Sequence, residues 1–177
     1  AFYENEVPHS INYPDMNIAQ FLIDTAKQYP TNLALEFLGY SLTYEKLYLK
    51  ADHLAKYLGS IGIKKGDRVA IMLPNSPQAV IAYYGVLLAG AIVVQTNPLY
   101  VERELKSQLI DSGAVALITV DLLINRVKRV RGERLENDEL SFIKTVIVTS
   151  IADGLNFPKN VLYKVKQRKS IPPLPES

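Results

Sequence analysis

Side chains that could perform chemistry are sparse in this chain. It has no cysteine and two histidines, His9 and His53, which excludes thiolate metal sites and sites built from several imidazoles. The sequence places no serine, cysteine or carboxylate as a partner for either histidine, so we expect both on the surface rather than acting as bases. Neighbouring carboxylates near a helix start or in a loop usually face solvent. The two such pairs are Glu102 with Glu104, and Asp138 with Glu139.

The glycines do not form a phosphate-binding loop. No two of the nine glycines are separated by a single residue, so the Gly-x-Gly of a dinucleotide-binding fingerprint is absent. No glycine is followed by Lys-Ser or Lys-Thr, as a Walker A loop requires. The sequence therefore predicts no catalytic, cofactor-binding or metal-binding residue among the 177 residues.

Two groups of residues could still contact a ligand. The segment Thr96-Asn97-Pro98-Leu99-Tyr100 follows a predicted strand, and α/β proteins place ligands at the carboxyl edge of a parallel sheet. It could equally be a well-capped connection between two elements. Tyr83, Tyr84 and Tyr100 could line an apolar ligand channel, or they could pack in the core with their hydroxyls at its rim. In both cases we favour the second interpretation.

A strand, a helix and a second strand position these groups. Residues 67–73 form a short apolar run rich in branched side chains, which is typical of a strand buried on both faces. Asn75 and Ser76 can cap a helix over residues 77–89, which begins with a proline and is apolar on almost every side. Residues 91–95 return as a second apolar strand. Two buried strands joined by a helix predict a right-handed parallel unit.

Similar patterns along the rest of the chain predict the other elements. We expect helices over 18–29, 44–61, 101–112 and 122–130, strands over 114–120 and 145–150, and a hairpin formed by 32–38 and 40–43 around Gly39. The order predicts an α/β fold: a doubly wound, mostly parallel sheet flanked by helices, with a small amino-terminal hairpin. We divide the chain into an irregular leader (1–16), an α/β subdomain (17–150) and a basic, proline-rich, linker-like tail (151–177).

Charge is unevenly distributed although the net charge is only +2. Residues 1–121 carry nine basic and twelve acidic side chains, whereas residues 122–170 carry eleven and five. An anionic partner, such as a lipid surface or a nucleic acid, is one interpretation, and a solvated, loosely ordered region is the favoured one. The first cluster lacks the interleaved aromatics of single-strand binders, so we expect no nucleic acid. The clusters are Arg126, Lys128, Arg129, Arg131 and Arg134, then Lys159, Lys164, Lys166, Arg168 and Lys169.

Several segments taken together resemble one family. They are Leu42-Thr43-Tyr44-Glu45-Lys46-Leu47, Gly66-Asp67-Arg68-Val69-Ala70, Leu73-Pro74-Asn75-Ser76, and Leu88-Ala89-Gly90-Ala91 through Asn97-Pro98-Leu99-Tyr100. Their order and spacing are similar to the amino-terminal part of adenylate-forming acyl-CoA synthetases, over roughly residues 15–150. Val94-Gln95-Thr96-Asn97-Pro98-Leu99-Tyr100 and Asn156-Phe157-Pro158-Lys159-Asn160-Val161-Leu162-Tyr163 look most like bacterial long-chain fatty acid–CoA ligases.

The resemblance implies a two-step reaction in a whole enzyme longer than this chain. A fatty carboxylate attacks the α-phosphate of ATP to form an acyl-adenylate, and coenzyme A then displaces AMP. The family's glycine-rich phosphate loop, its later aspartate, threonine and glutamate motifs and its carboxy-terminal lysine do not occur here. ATP, Mg²⁺ and coenzyme A are therefore expected for the whole enzyme and none for this chain, which we expect to be inactive alone.

Two other functions remain open from the sequence. The same fold could serve as a stand-alone, non-catalytic binding or dimerisation module, or the basic segments could bind lipid or nucleic acid. We expect a homo-oligomer, because an apolar helix over 77–89 would expose an apolar patch if its partner were missing. We also expect a cytoplasmic location, with possible peripheral contact with a membrane, since no signal-peptide pattern or spanning segment is visible.

One residue departs from the family pattern. Relatives commonly have a threonine where Val101 stands, which would form a capping box with Glu104. Valine has no side-chain oxygen. We therefore expect capping to shift to Asn97, with Pro98 as the first helical residue.

Overall fold

The computed structural model describes residue 8 and residues 10–131 and 143–167. Two turns of 3₁₀ helix, Asp121–Leu123 and Ile151–Gly154, follow the last two strands. The elements are α1 (Ile18–Gln28), β1 (Leu33–Phe37), β2 (Tyr40–Thr43), α2 (Tyr44–Ser60), β3 (Arg68–Met72), α3 (Pro77–Leu88), β4 (Ile92–Gln95), α4 (Glu102–Ser112), β5 (Ala116–Val120), α5 (Ile124–Arg131), β6 (Thr145–Thr149) and α6 (Lys159–Gln167).

The main sheet is parallel and has the strand order β4-β3-β5-β6. The chain passes from β3 to β4 on one side and then crosses to β5 on the other, so the strand order reverses at β3. Helices α2 and α3 pack on one face and α4 and α5 on the other. This is the doubly wound α/β fold expected from the sequence, and the fold prediction is confirmed.

The unit β3-α3-β4 forms as the local sequence predicts. Ser76 caps α3 by accepting a hydrogen bond from the amide of Ala79 at 3.4 Å, and Pro77 begins the helix. Every residue of α3 is buried or half-buried, because α2 covers it on one side and the sheet on the other. Gly85 allows this contact: a Cβ there would lie 2.7 Å from Leu54 Cδ2. The bare apolar helix that motivated the oligomer prediction is therefore absent.

The predicted hairpin is confirmed. Strands β1 and β2 pair antiparallel, joined by Leu38 and Gly39 with φ of 51° and 87°. Two positive φ values are what a two-residue type I′ turn requires. The turn contacts the start of α6: Asn156 Nδ2 donates to the carbonyl of Gly39 at 2.8 Å, and Lys159 Nζ to that of Leu38 at 2.7 Å.

The expected capping shift to Asn97 is wrong. Helix α4 begins at Glu102 with Val101 as its N-cap residue. Half of a capping box survives, because Glu104 Oε2 accepts a hydrogen bond from the amide of Val101 at 3.0 Å. Asn97 instead closes its own turn, accepting from the amide of Leu99 at 2.9 Å.

The segment after β6 also differs from the expectation. The sequence predicted loop from residue 151 onward, whereas the structure has a 3₁₀ turn followed by the nine-residue helix α6. Prolines at 158, 172, 173 and 175 bracket a stretch too short for its helical period to stand out. The division into leader, subdomain and tail stays a prediction, and residues 168–177 lie outside the described part of the chain.

Candidate functional site

The strand reversal at β3 defines the place where a doubly wound sheet binds ligands. Such a crevice lies between two neighbouring strands whose following connections leave toward opposite faces of the sheet, at their carboxyl ends. Here these strands are β3 and β5. The loop of residues 73–76 leaves β3 at this edge, and Asp121 follows β5 directly. Three polar side chains are buried there: Ser76, Thr119 and Asp121. Of these, the sequence had singled out Ser76 alone, as a helix cap.

The buried polar groups of β5 hold the backbone of the sheet edge. Thr119, which is fully buried, donates from Oγ1 to the carbonyl of Met72 at 3.3 Å and so ties β5 to β3. Asp121 Oδ1 accepts from the amide of Leu122 at 2.8 Å. Burial, and secondly the charge of Asp121, raise the pKa of Tyr163 on α6. The sequence could have indicated Asp121 as a candidate site residue, because this carboxylate directly follows a strand of five buried residues.

An apolar cavity of about 250 Å³ opens between α2, α3 and the ends of the strands. Gln78 Nε2 donates to the carbonyl of Ser150 at 2.8 Å, while Gln78 Oε1 is buried with no hydrogen-bond partner. Gly154 lies against this amide, since a Cβ on it would be 2.8 Å from Oε1. The cavity wall includes Leu54, Leu73, Ile81, Ile118 and Ile147, with Lys50 among its polar members. Such a lining suits an apolar group, and Tyr40, Thr149 and Asp153 are further polar members of the wall.

Hydrogen bonds hold the backbone of the segment from Thr96 to Tyr100, which connects β4 to α4. Thr96 is buried, and its amide donates to the carbonyl of Ile71 at 3.0 Å. The amide of Tyr100 donates to the carbonyl of Asn97 at 3.1 Å. Arg126 reaches across from α5 and donates to the carbonyl of Pro98 at 2.6 Å. The polar groups of this segment thus hold α4 and α5 against the end of β4.

The three tyrosines are half-buried and pack against the core clusters, and Tyr100 also lines an open cavity. Tyr83 and Tyr84 meet edge to face, with ring centroids 5.4 Å apart. They pack on different clusters, Tyr83 toward the sheet and Tyr84 toward α2. Burial, followed by the influence of Tyr83 and Tyr44, raises the pKa of Tyr84. Tyr100 packs against the cluster beneath α4 and α5.

The histidines and acidic pairs give no catalytic set within the described residues. His53 is exposed, as expected. Glu102 pairs with Arg129 of α5, and Glu104 caps α4. No group of three or more His, Cys, Asp or Glu residues could hold a metal ion in the described ranges. His9 and the Asp138–Glu139 pair fall outside those ranges.

The basic clusters differ in what they contact. In the first cluster, Arg126 and Arg129 are engaged within the protein, on Pro98 and Glu102. In the second cluster, Lys159 contacts the hairpin while Lys164 and Lys166 are exposed. Arg134, Arg168 and Lys169 lie outside the described residues. Arg126 and Arg129 therefore have a structural role.

Comparison with known proteins identifies the class. Residues 22–176 match the model of a family described as AMP-binding enzyme. The match covers most of the chain, which therefore belongs to the AMP-binding enzyme family.

No helix among the described residues is long and apolar enough to cross a membrane.

Several curated relatives within that family carry the same printed description. A long-chain-fatty-acid–CoA ligase of Bacillus subtilis (strain 168) is 43% identical over 171 residues, which are 97% of this chain and 29% of the relative. A ligase of the same description from Escherichia coli O157:H7 is 38% identical over 178 residues, covering 97% of this chain and 30% of its own length. The resemblance found in the sequence is confirmed. The chain spans about 30% of the length of the relatives it matches.

A solved structure agrees with the fold. The N-terminal domain of FACL13 from Mycobacterium tuberculosis, in an inhibitor-bound crystal structure, matches with a TM-score of 0.68 and 27% identity. The match covers 77% of this chain and 34% of that one. The described part of the chain thus has the architecture of an amino-terminal domain in this class.

Proposed function

We propose that this chain is the amino-terminal part of a long-chain fatty acid–CoA ligase and that the whole enzyme joins a fatty acid to coenzyme A at the expense of ATP. The observation that carries the proposal is the 43% identity to a ligase of that description, sustained over 97% of the chain. The doubly wound sheet is consistent with it, because this fold places ligands at its carboxyl edge.

The role we assign to the chain's own residues is structural. Ser76 and Thr119 fix the loop after β3 and the end of β5, while Arg126 fixes the segment after β4. No group of three or more metal-ligating side chains is present among the described residues, which supports a structural role for them. Groups that hold ATP, Mg²⁺ and coenzyme A would then belong to sequence other than these 177 residues. By itself the chain is proposed to be inactive.

The gene's reading frame tests this proposal directly. Continuation beyond residue 177 into a stretch rich in Ser, Thr and Gly, of the Ser/Thr-Gly-Thr-Thr-Gly kind, is the expected result. A stop codon after residue 177 would overturn the proposal and favour the stand-alone binding or dimerisation module.

We also propose a cytoplasmic location for the protein. Recovery of the protein in the soluble cell fraction after a high-salt wash would support this location.

We also propose that the isolated chain self-associates. The apolar helix α3 is covered, so the surface concerned is the edge strand β4, which has a neighbour on only one side in the sheet formed by the described residues. Ile92 is half-exposed on this edge, and Leu99 beyond its end is more than four-fifths exposed. Open strand edges promote pairing with other chains. Sedimentation velocity should show a concentration-dependent dimer, and a monomer at every concentration would contradict this.

A further inference from the structure

The apolar cavity between α2 and α3 contains a buried hydrogen-bond acceptor that has no donor. Gln78, near the start of α3, donates from Nε2 to the carbonyl of Ser150 at 2.8 Å. This hydrogen bond fixes the orientation of the amide, because the reverse orientation would place Oε1 against another oxygen. Oε1 is buried, and no described residue donates a hydrogen bond to it. Because buried acceptors are nearly always paired in folded proteins, this oxygen indicates a place for an external donor.

Gly154 makes room for this amide. A Cβ on residue 154 would lie 2.8 Å from Gln78 Oε1 and 2.9 Å from Nε2, which is closer than such atoms approach. Gly154 does not have a positive φ, so its backbone conformation would accept another residue. The glycine is therefore required by the close approach to Gln78, and both residues contribute to the wall of the cavity.

The rest of the wall is mainly apolar and comes from this chain. The cavity has a volume of about 250 Å³ and is bounded by α2, α3, the hairpin, the ends of β3, β5 and β6, and the 3₁₀ turn after β6. A cavity of about 150 Å³ lined by apolar side chains can hold benzene, so by proportion this one admits roughly ten non-hydrogen atoms. This size suits a short aliphatic molecule rather than a long acyl chain.

The wall offers few polar groups that a water molecule could use. A buried water molecule typically needs roughly two to four polar partners. The hydroxyl of Thr149 is directed to Asp153 Oδ2 at 3.5 Å, and the same oxygen accepts from the amide of Ser150 at 3.1 Å. A molecule with one hydroxyl and an apolar chain would pair Gln78 Oε1 and cover the apolar wall at the same time.

Charged groups of the cavity wall argue for a mouth that faces solvent. Lys50 on α2 and Asp153 in the 3₁₀ turn are exposed members of the wall. Covering them with polypeptide would remove water from two charges, which costs free energy unless new partners replace that water. A small molecule can enter the cavity without burying either charge.

We propose that this cavity binds a neutral aliphatic alcohol of roughly eight carbons. Its hydroxyl would donate to Gln78 Oε1, and its chain would pack against the apolar wall. An ionised carboxylate has no proton to donate and would repel this oxygen, so a fatty acid is disfavoured. The proposal does not rest on the ligase function.

Binding of 1-octanol to the intact 177-residue chain tests the proposal. We expect saturable changes in the methyl NMR signals of Ile81, Ile118 and Ile147, which belong to the cavity wall. The signals of Ile92 and Ile110, which are exposed elsewhere, should not change. Methyl heptyl ether is the matched probe, because it has the same elemental composition as 1-octanol but no hydroxyl hydrogen. It should bind roughly 5- to 20-fold more weakly.

Substitutions separate the polar and apolar contributions. Gln78→Met keeps the length of the side chain but lacks the acceptor, so 1-octanol and the ether should bind this variant equally. Ala82→Val narrows the cavity and should weaken binding of 1-octanol roughly tenfold. Ala89→Val, at a half-buried position outside the wall, should not. The isoleucine signals of the parent chain provide a test even if a variant fails to fold.

Three results would overturn the proposal. One is the absence of saturable changes at the cavity isoleucines of the parent chain, which would leave the acceptor to water or to another segment of protein. Another is equal affinity of the parent chain for 1-octanol and the ether. The third is tighter binding of octanoate than of 1-octanol that is lost in Lys50→Gln, which would assign the cavity to an anion paired with that lysine.

Discussion

At the scale of single residues, the polar side chains near the sheet's carboxyl edge serve mainly to hold the backbone. Thr119 ties β5 to β3, Ser76 caps α3, and Arg126 holds the carbonyl of Pro98. Thr119 and Arg126 thus satisfy backbone carbonyls, and Ser76 satisfies a backbone amide. Asp121 is a buried carboxylate at the crevice, and it accepts a hydrogen bond from the amide of Leu122. Its burial depends on how the strands assemble and is not visible in the local sequence.

Replacing Gly85 and Gly59 by alanine is predicted to change the stability of the fold in opposite directions, because only Gly85 lies in the contact between α2 and α3. Gly85→Ala should destabilise the fold by about 1–3 kcal/mol, because its Cβ would lie 2.7–3.0 Å from the side chain of Leu54. Gly59→Ala should stabilise by about 0.4–1 kcal/mol, since a Cβ there meets nothing within 4 Å and the residue lies in α2. Urea denaturation measures both. An equal effect at the two positions would show that α2 and α3 are not packed this closely.

The half-buried side chain of Tyr84 on α3 predicts a loss of stability in alkali. Burial raises the pKa of Tyr84 above its ordinary value, so the folded state retains the phenolic proton longer than the unfolded state does. The stabilisation is therefore complete below about pH 10 and declines as the pH rises above that value. Tyr84→Phe should flatten this decline in urea midpoints measured from pH 8 to 11, while Tyr57→Phe at an exposed site should leave it unchanged. An identical decline in Tyr84→Phe would contradict the assignment.

At the scale of elements, the first half of the chain follows from its sequence because local signals and packing agree. Ser76, Pro77 and the apolar run before them predict the boundary between β3 and α3, and Gly39 predicts the hairpin turn. Helix α6 was missed because its nine residues, between prolines, are too short a stretch for a helical period to stand out. The start of α4 was misplaced because the Glu104 half of a capping box suffices there.

The N-cap residue of α4, Val101, can be replaced by one that stabilises the helix. Val101→Thr should stabilise the protein by about 1 kcal/mol, because a hydroxyl at the N-cap could accept from a free amide of the first turn while Glu104 keeps its contact with the amide of residue 101. Val101→Ala is the matched control and should give no such gain, since it also lacks an oxygen. Thermal unfolding of the three proteins provides the comparison, and equal midpoints would contradict the capping argument.

At the scale of the whole molecule, the sequence predicts a doubly wound sheet but not its strand order. That β3 lies between β4 and β5, with β6 outermost, follows from packing of helices on both faces rather than from any local pattern. The crevice at β3 and β5 is consequently a property of the assembled fold. The chain belongs to the AMP-binding enzyme family over residues 22–176. It therefore shares the crevice of that fold although these 177 residues contain no phosphate loop.

The central claim is that these 177 residues form the scaffold of an acyl-activating enzyme and not its catalytic centre. Pyrophosphate release from ATP, in the presence of Mg²⁺ and palmitate, tests it most directly. The purified chain should release no more pyrophosphate than a blank without protein, while a full-length long-chain fatty acid–CoA ligase assayed in parallel should release it readily. Release by the chain that requires both palmitate and ATP would contradict the claim and place catalytic groups within these residues.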